Sequence, residues 1–214
     1  MDNRIIDNAL AYVKELFAND YGGHDFFHTY RGCRTAAAIA KQEGADVQTV
    51  RLAALLHDVD DSKLSPGTHE RQERAAGFLR RHNVPPETVE KICRMIRDVS
   101  FAGTDTAVPE SLEGKCVQDA DRLDAMGAIG IARAFAYGGS RGRAMYDPDI
   151  PFREAMSAEE YRSCSSTTVN HFYEKLFRLR ALMNTDTARA MAEARDAYMR
   201  AYLAEFFAEW EGVR

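Results

Sequence analysis

His57 and Asp58 directly follow Ala53-Ala54-Leu55-Leu56, in a run whose Val47, Val50 and Ala54 recur at the one-face spacing of a helix that Asp46 can cap. Extended along that helix, His57 falls three residues after Ala54 and Asp58 three after Leu55, so both polar side chains point toward the apolar side. A carboxylate carried into a core without a partner costs on the order of several kcal/mol. The fold must therefore supply a cation, a hydrogen-bond network or an opening to solvent. A divalent metal answers that demand. The alternative is a helix that ends at Leu56 and leaves His57 and Asp58 in a solvated turn. His28 and Asp121 disturb apolar helical patterns in the same way. Two imidazoles and two carboxylates form a mixed nitrogen and oxygen set that suits manganese, iron, cobalt or nickel better than calcium, with positions left for water and substrate.

These residues require helices to carry them, and the apolar spacing predicts an all-α chain. Ile5, Ala9, Val13 and Leu16 mark a first helix, closed by a turn over Asn19 to Gly23. Asp25 can cap an alanine-rich helix that holds His28 and Arg31 near its start and runs to Gly44. After the central helix, Ser65 to Thr68 reads as a turn, Arg71 to His82 as a charged helix, and Pro85-Pro86 as the opening of another with Val89, Ile92, Ile96 and Val99 inward. Phe101 to Glu113 reads as loop. A further helix is expected from Lys115, through Asp119-Ala120-Asp121-Arg122-Leu123-Asp124, to about Tyr137. Gly138 to Arg143 reads as a flexible connection carrying Arg141 and Arg143. A long helix from Ser165 would turn Val169, Phe172, Leu176 and Leu179 inward, and a last one from Thr185 would do so with Met191, Tyr198, Tyr202 and Phe206.

The 214 residues suffice for one domain with a sizeable core, and 45% hydrophobic with 29% charged residues excludes a disordered chain. A formal net charge of -5 gives no general attraction to nucleic acid or to an anionic membrane, so a phosphate-bearing ligand must be drawn by a metal or local positive charge. Cys33, Cys93, Cys116 and Cys164 form no CxxC pair, which points away from a zinc ribbon or disulfide framework and toward a cytoplasmic setting. No secretory leader and no apolar run of roughly 20 residues is visible.

In order, His28, then His57-Asp58, then Asp121 within Asp119-Ala120-Asp121-Arg122-Leu123-Asp124 resembles the H...HD...D signature of the HD-domain metal-dependent phosphohydrolases. The likeness covers about 21–137, and Asn170-His171-Phe172-Tyr173-Glu174-Lys175-Leu176 looks like the small stand-alone bacterial branch of that family. The resemblance implies a single-domain helical bundle over residues 1–214, with a metal-site core at about 21–137 that C-terminal helices at about 157–212 complete. It implies His28, His57, Asp58 and Asp121 as ligands of one divalent ion, manganese first, with iron, cobalt, nickel or magnesium admissible. It makes Asp61, three positions after the HD pair, the group that aligns water or donates a proton.

Other residues carry two meanings each. Arg31 and Lys63 suit substrate phosphate, or exposed ion pairs and plain surface. His171, Lys175 and Arg178 share a helical face that is either a phosphate wall or a solvated side, and the resemblance favours substrate binding for His171 and Lys175. Arg141 and Arg143 fit a lid or a surface loop; Asp119 and Asp124 fit support or capping roles; His24 is the rival of His28. His69 and His82 sit in charged surroundings, so a single metal is expected. The resulting expectation is a hydrolase of a small phosphorylated metabolite, first a nucleoside triphosphate pyrophosphohydrolase. A nucleoside monophosphate phosphomonoesterase and a non-catalytic metal-dependent nucleotide sensor are the alternatives. No nucleic-acid or membrane partner is expected, and the sequence leaves the oligomeric state open.

Overall fold

The computed structural model describes residues 3–18, 25–60, 72–99, 107–153 and 166–214. The fold is all-α, with nine α-helices and no strand among these residues. They are α1 (Asn3–Leu16), α2 (Phe26–Glu43), α3 (Val47–Leu56), α4 (Glu73–Arg81), α5 (Pro86–Val99), α6 (Leu112–Asp124), α7 (Gly127–Ser140), α8 (Thr168–Glu174) and α9 (Asp186–Trp210), with a 3-10 helix over Leu176–Leu182 between the last two. The expected turns at 19–23 and 65–68 lie outside the described residues, as do His24, Asp61, Lys63, His69 and Cys164. None of the described helices is long and apolar enough to cross a membrane. Cys33, Cys93 and Cys116 are buried free thiols.

Contacts gather the chain into two compact units, Met1–Asp121 and Arg122–Arg214. In the first, α3 is the centre and packs against α1, α2 and α5. It is buried over most of its circumference: Val50, Leu52, Ala53, Leu55 and Leu56 are all fully covered, and only Val47, Gln48 and Arg51 are half-buried, so its apolar set is wider than a single stripe. Ile6, Val13, Ile39, Leu79, Ile92 and Ile96 complete this core, each contributing roughly 1.5–3 kcal/mol on burial. The starts of α2 and α3 are those read from the sequence, whereas α4 begins at Glu73 rather than Arg71 and α6 at Leu112 rather than Lys115, so that the expected loop over 101–113 ends earlier. Asp25 accepts the His28 N–H at 2.6 Å, and Asp46 accepts those of Gln48 and Thr49 at 3.0 and 3.3 Å. Gly44 ends α2 in the left-handed region at φ 75°, where a side chain would be strained.

The second unit departs from the sequence reading in four places. The expected helix from Lys115 to Tyr137 is two helices, because Met126 is extended and Gly127 takes φ 70°. Gly130 lets the chain fold back there: a Cβ on it would stand 2.2 Å from the Ala125 carbonyl oxygen. Gly138 to Ser140 are the last residues of α7, not a loose connection. Gly138 lies against Thr168, and Arg143 returns its N–H to the Gly138 carbonyl at 2.8 Å. The expected long helix from Ser165 is the short α8, broken at Lys175 (φ -138°, ψ -57°) and followed by 3-10 geometry, although Val169, Phe172, Leu176 and Leu179 are inward as expected. In α9 the buried face is Ala188, Ala192, Asp196, Met199 and Leu203, while Tyr198 is exposed. A charged residue on the inner face hid that stripe, and Asp196 is tolerated there because Arg200 pairs with it at 2.7 Å.

Candidate metal centre

α2 carries His28 into the first unit, and the Asp25 cap fixes the turn from which it projects. α3 stops at Leu56, so His57 and Asp58 lie in the following turn rather than on the helix. That turn is buried, not solvated, with the Val59 N–H bonded to the Leu56 carbonyl at 3.3 Å. The last turns of α6 present Asp121. His28 Nε2 stands 3.3 Å from Asp58 Oδ2 and 3.4 Å from Asp121 Oδ1. His57 Nε2 stands 3.2 Å from Asp58 Oδ2 and 3.8 Å from Asp121 Oδ1. His28, His57 and Asp58 each offer a donor atom within 4.8 Å of the others, and Asp121 closes the group from α6 with its side chain 27% exposed.

The tautomer of His57 tests whether a metal fits. Its Nδ1 lies 2.9 Å from the Ala54 carbonyl, which can only accept, so Nδ1 carries the proton. Nε2 then turns a lone pair toward carboxylate oxygens, and this buried atom makes no hydrogen bond of acceptable geometry. Lone pair against carboxylate repels unless a cation lies between them, and a divalent ion would balance the two carboxylates. The donor set fits a borderline divalent metal. With protons as the only cations, burial disfavours the imidazolium of His57, yet Asp58 and then Asp121 carry its pKa above the ordinary value. Burial likewise opposes ionisation of Asp121, but the neighbouring His28 and His57 imidazoles hold its carboxyl far below the usual range.

Sequence reasoning missed Asp60. It is 1% exposed, and its two oxygens accept the N–H groups of Arg74 at 3.1 Å and Ala75 at 2.9 Å, at the start of α4. The residue preceding α4, Gln72, takes φ 52° and gives no side-chain cap, so Asp60 supplies one from a distance. Such caps are worth about 0.5–2 kcal/mol. The missing Ser, Thr, Asp or Asn before Glu73 was the one available signal.

Arg31 follows His28 by one turn of α2 and is half-buried. His82 donates Nδ1–H to the Phe78 carbonyl at 2.9 Å and packs on the Phe78 ring, outside the His28–His57–Asp58 group. Asp119 is fully buried, and Asp124 pairs with Arg133 at 2.9 Å. Within the second unit, Arg122 donates to the Leu182 carbonyl and Arg195 to the Leu123 carbonyl, which secures the end of α6. Also in that unit, burial, Lys175 and Arg143 lower the His171 pKa to about 3, leaving a neutral imidazole beside cationic side chains. The Arg178 position of the expected stripe falls in the 3-10 helix.

Comparison with known proteins places this geometry. The HD domain model matches residues 26–126. YpgQ of Bacillus subtilis, an uncharacterized protein, is 35% identical over 205 residues, which covers 95% of this chain and 92% of YpgQ. Its crystal structure in complex with ADP matches with a TM-score of 0.78 over 98% of this chain and 100% of that one, at 33% identity. A Lactobacillus plantarum protein matches with a TM-score of 0.85 at 42% identity over 99% and 98%. An HD-superfamily hydrolase of Bacillus thuringiensis matches with a TM-score of 0.79 at 38% identity over 98% of each chain.

Proposed function

The chain belongs to the HD-domain family, and on that premise we propose that it is a metal-dependent phosphohydrolase of a small phosphorylated metabolite, a nucleotide, with nucleoside triphosphate pyrophosphohydrolysis as the first activity. The observation that carries this reading is the His28–His57–Asp58–Asp121 group, in which the neutral His57 turns a lone pair toward carboxylate oxygens. The ADP held by YpgQ supports a nucleotide ligand. The reading treats residues 1–214 as one HD-type domain in the cytoplasm.

His28, His57, Asp58 and Asp121 hold one divalent ion, manganese before iron, cobalt, nickel or magnesium. Bound there, a divalent ion would supply Lewis acidity toward a phosphoryl oxygen and lower the pKa of water toward neutral. The chain does the rest. The Ala54 carbonyl keeps the proton of neutral His57 on Nδ1, so that Nε2 is the nitrogen left to act as a ligand. Arg31 and Lys63 meet phosphate oxygens, and Asp61 orients water or hands a proton to the leaving group. His171, kept neutral beside Lys175, can donate to or accept from a phosphate oxygen without adding charge, while Lys175 supplies the cation.

The test is a panel of nucleoside mono- and triphosphates incubated with manganese and followed by phosphorus NMR, with His57→Ala and Asp121→Ala beside the wild type. Pyrophosphate from triphosphates with the wild type alone is the expected result. Orthophosphate from monophosphates would replace it with a phosphomonoesterase, and a bound metal without turnover would replace it with a nucleotide sensor. Asp61→Ala, which should lose turnover with metal binding kept, tests the proton role.

A further inference from the structure

We propose that Asp60 is a positioning residue for the metal centre: it anchors the His57–Asp58 turn to the start of α4 and so fixes the angle at which both ligands are presented. The inference rests on the metal-site reading above. Asp60 is two residues beyond Asp58, in the same turn, and its carboxylate is fully buried. Each of its oxygens has a separate partner, the Arg74 N–H for Oδ1 and the Ala75 N–H for Oδ2, so the side chain is held in two directions rather than swinging about one bond. The partners are free N–H groups of a helix N-terminus, which also favours the negative charge.

The other end of the turn is held independently. His57 Nδ1–H bonds the Ala54 carbonyl, and the Val59 N–H bonds that of Leu56. The turn is thus tied to α3 at its start and to α4 at its finish, with the two candidate ligands between. Gln72, directly before α4, makes no side-chain cap hydrogen bond and stands in the left-handed region at φ 52°. An ordinary cap would be supplied by the residue before the helix, as Thr185 does for α9 by accepting the Ala188 N–H at 3.3 Å. Placing the cap two residues after a ligand makes α4 part of the support of the site. Partners one shell removed from a metal typically alter its affinity by about 10–100-fold.

The experiment measures manganese affinity of the full chain by titration calorimetry, at a temperature where circular dichroism shows each variant folded, together with its thermal midpoint. Asp60→Ala should weaken manganese binding by about 10–100-fold. Asp60→Asn, which retains one carbonyl acceptor, should fall between Asp60→Ala and wild type, and carries the test if the alanine variant does not fold. Thr185→Ala removes a helix cap of the other unit and should lower the midpoint with manganese affinity unchanged. If both Asp60 variants that fold bind manganese as wild type does, while the midpoint falls as for Thr185→Ala, Asp60 is a helix cap and nothing more, and the proposal is overturned. A wild type that binds no divalent ion would instead overturn the metal-site reading.

Discussion

In the Met1–Asp121 unit, the buried His28, His57 and Asp58 and the partly exposed Asp121 turn donor atoms toward one another at 3.2–3.8 Å. In the Arg122–Arg214 unit, buried carboxylates meet guanidinium groups: Asp124 meets Arg133 and Asp196 meets Arg200, at 2.9 and 2.7 Å. Both arrangements place charge away from water, but the second sets permanent guanidinium cations beside its carboxylates, while the first sets imidazoles there, whose nitrogens can hold either a proton or a metal ion. A network that closes on itself is an answer to the cost of burial. A network of imidazoles and carboxylates can exchange its protons for a divalent ion, and that difference separates a candidate site from structural polarity.

The sharpest way to break the contrast is to remove a member of each network. His57→Ala or Asp58→Ala should abolish metal-dependent turnover, a loss of roughly a thousandfold or more, and leave the protein without stoichiometric manganese by elemental analysis. Equal metal content in the variants would erase the distinction. Arg133→Met should leave metal content intact but cost about 1–3 kcal/mol in denaturant unfolding, and Asp124→Leu added to it should restore part of the loss, since the stranded carboxylate is then gone.

Proton competition sharpens the comparison further. With His57 raised above 6.5, proton loss is part of metal binding, so manganese affinity should climb as pH rises through and beyond 6.5 and then level off, read by calorimetry at stepped pH. The second unit should show the opposite kind of dependence, one of stability. His171 is depressed to about 3, so between there and 6.5 the unfolded chain binds the extra proton. Stability contributed at this position is therefore present above 6.5 and lost as pH falls, and His171→Gln should flatten that slope in urea unfolding at pH 4–6. Lys175→Ala, the mildest change, should raise KM several-fold with little change in kcat.

The starts of α2, α3 and α9 were legible because caps are local: Asp25, Asp46 and Thr185 each act within three residues of themselves. The His28, His57, Asp58 and Asp121 group that the structure brings together was legible as polar residues in apolar surroundings. The turn after Leu56 was not, since burial of His57 and Asp58 comes from packing around the turn, and an extrapolated helix gives the same inward direction. The Asp60 cap joins residues fourteen and fifteen apart, beyond any local pattern. Helix breaks at Gly127 and Lys175 depend on backbone geometry, one permitted by glycine and the other set by a residue that would ordinarily continue a helix. The inner face of α9 was disguised by Asp196, whose partner lies one turn away on the same helix.

The candidate ligands come from α2, from the turn after α3 and from the end of α6, so an ion gripping all of them would cross-link points far apart along the backbone. Such a clasp shortens the loops open to an unfolding chain; for a loop of about 100 residues the chain-entropy estimate is roughly 4.7 kcal/mol. The metal would then be a kinetic fastener as well as a reagent. A protease challenging the loaded protein would have to wait for ion release, whereas the stripped protein would open at the pace of its helices alone.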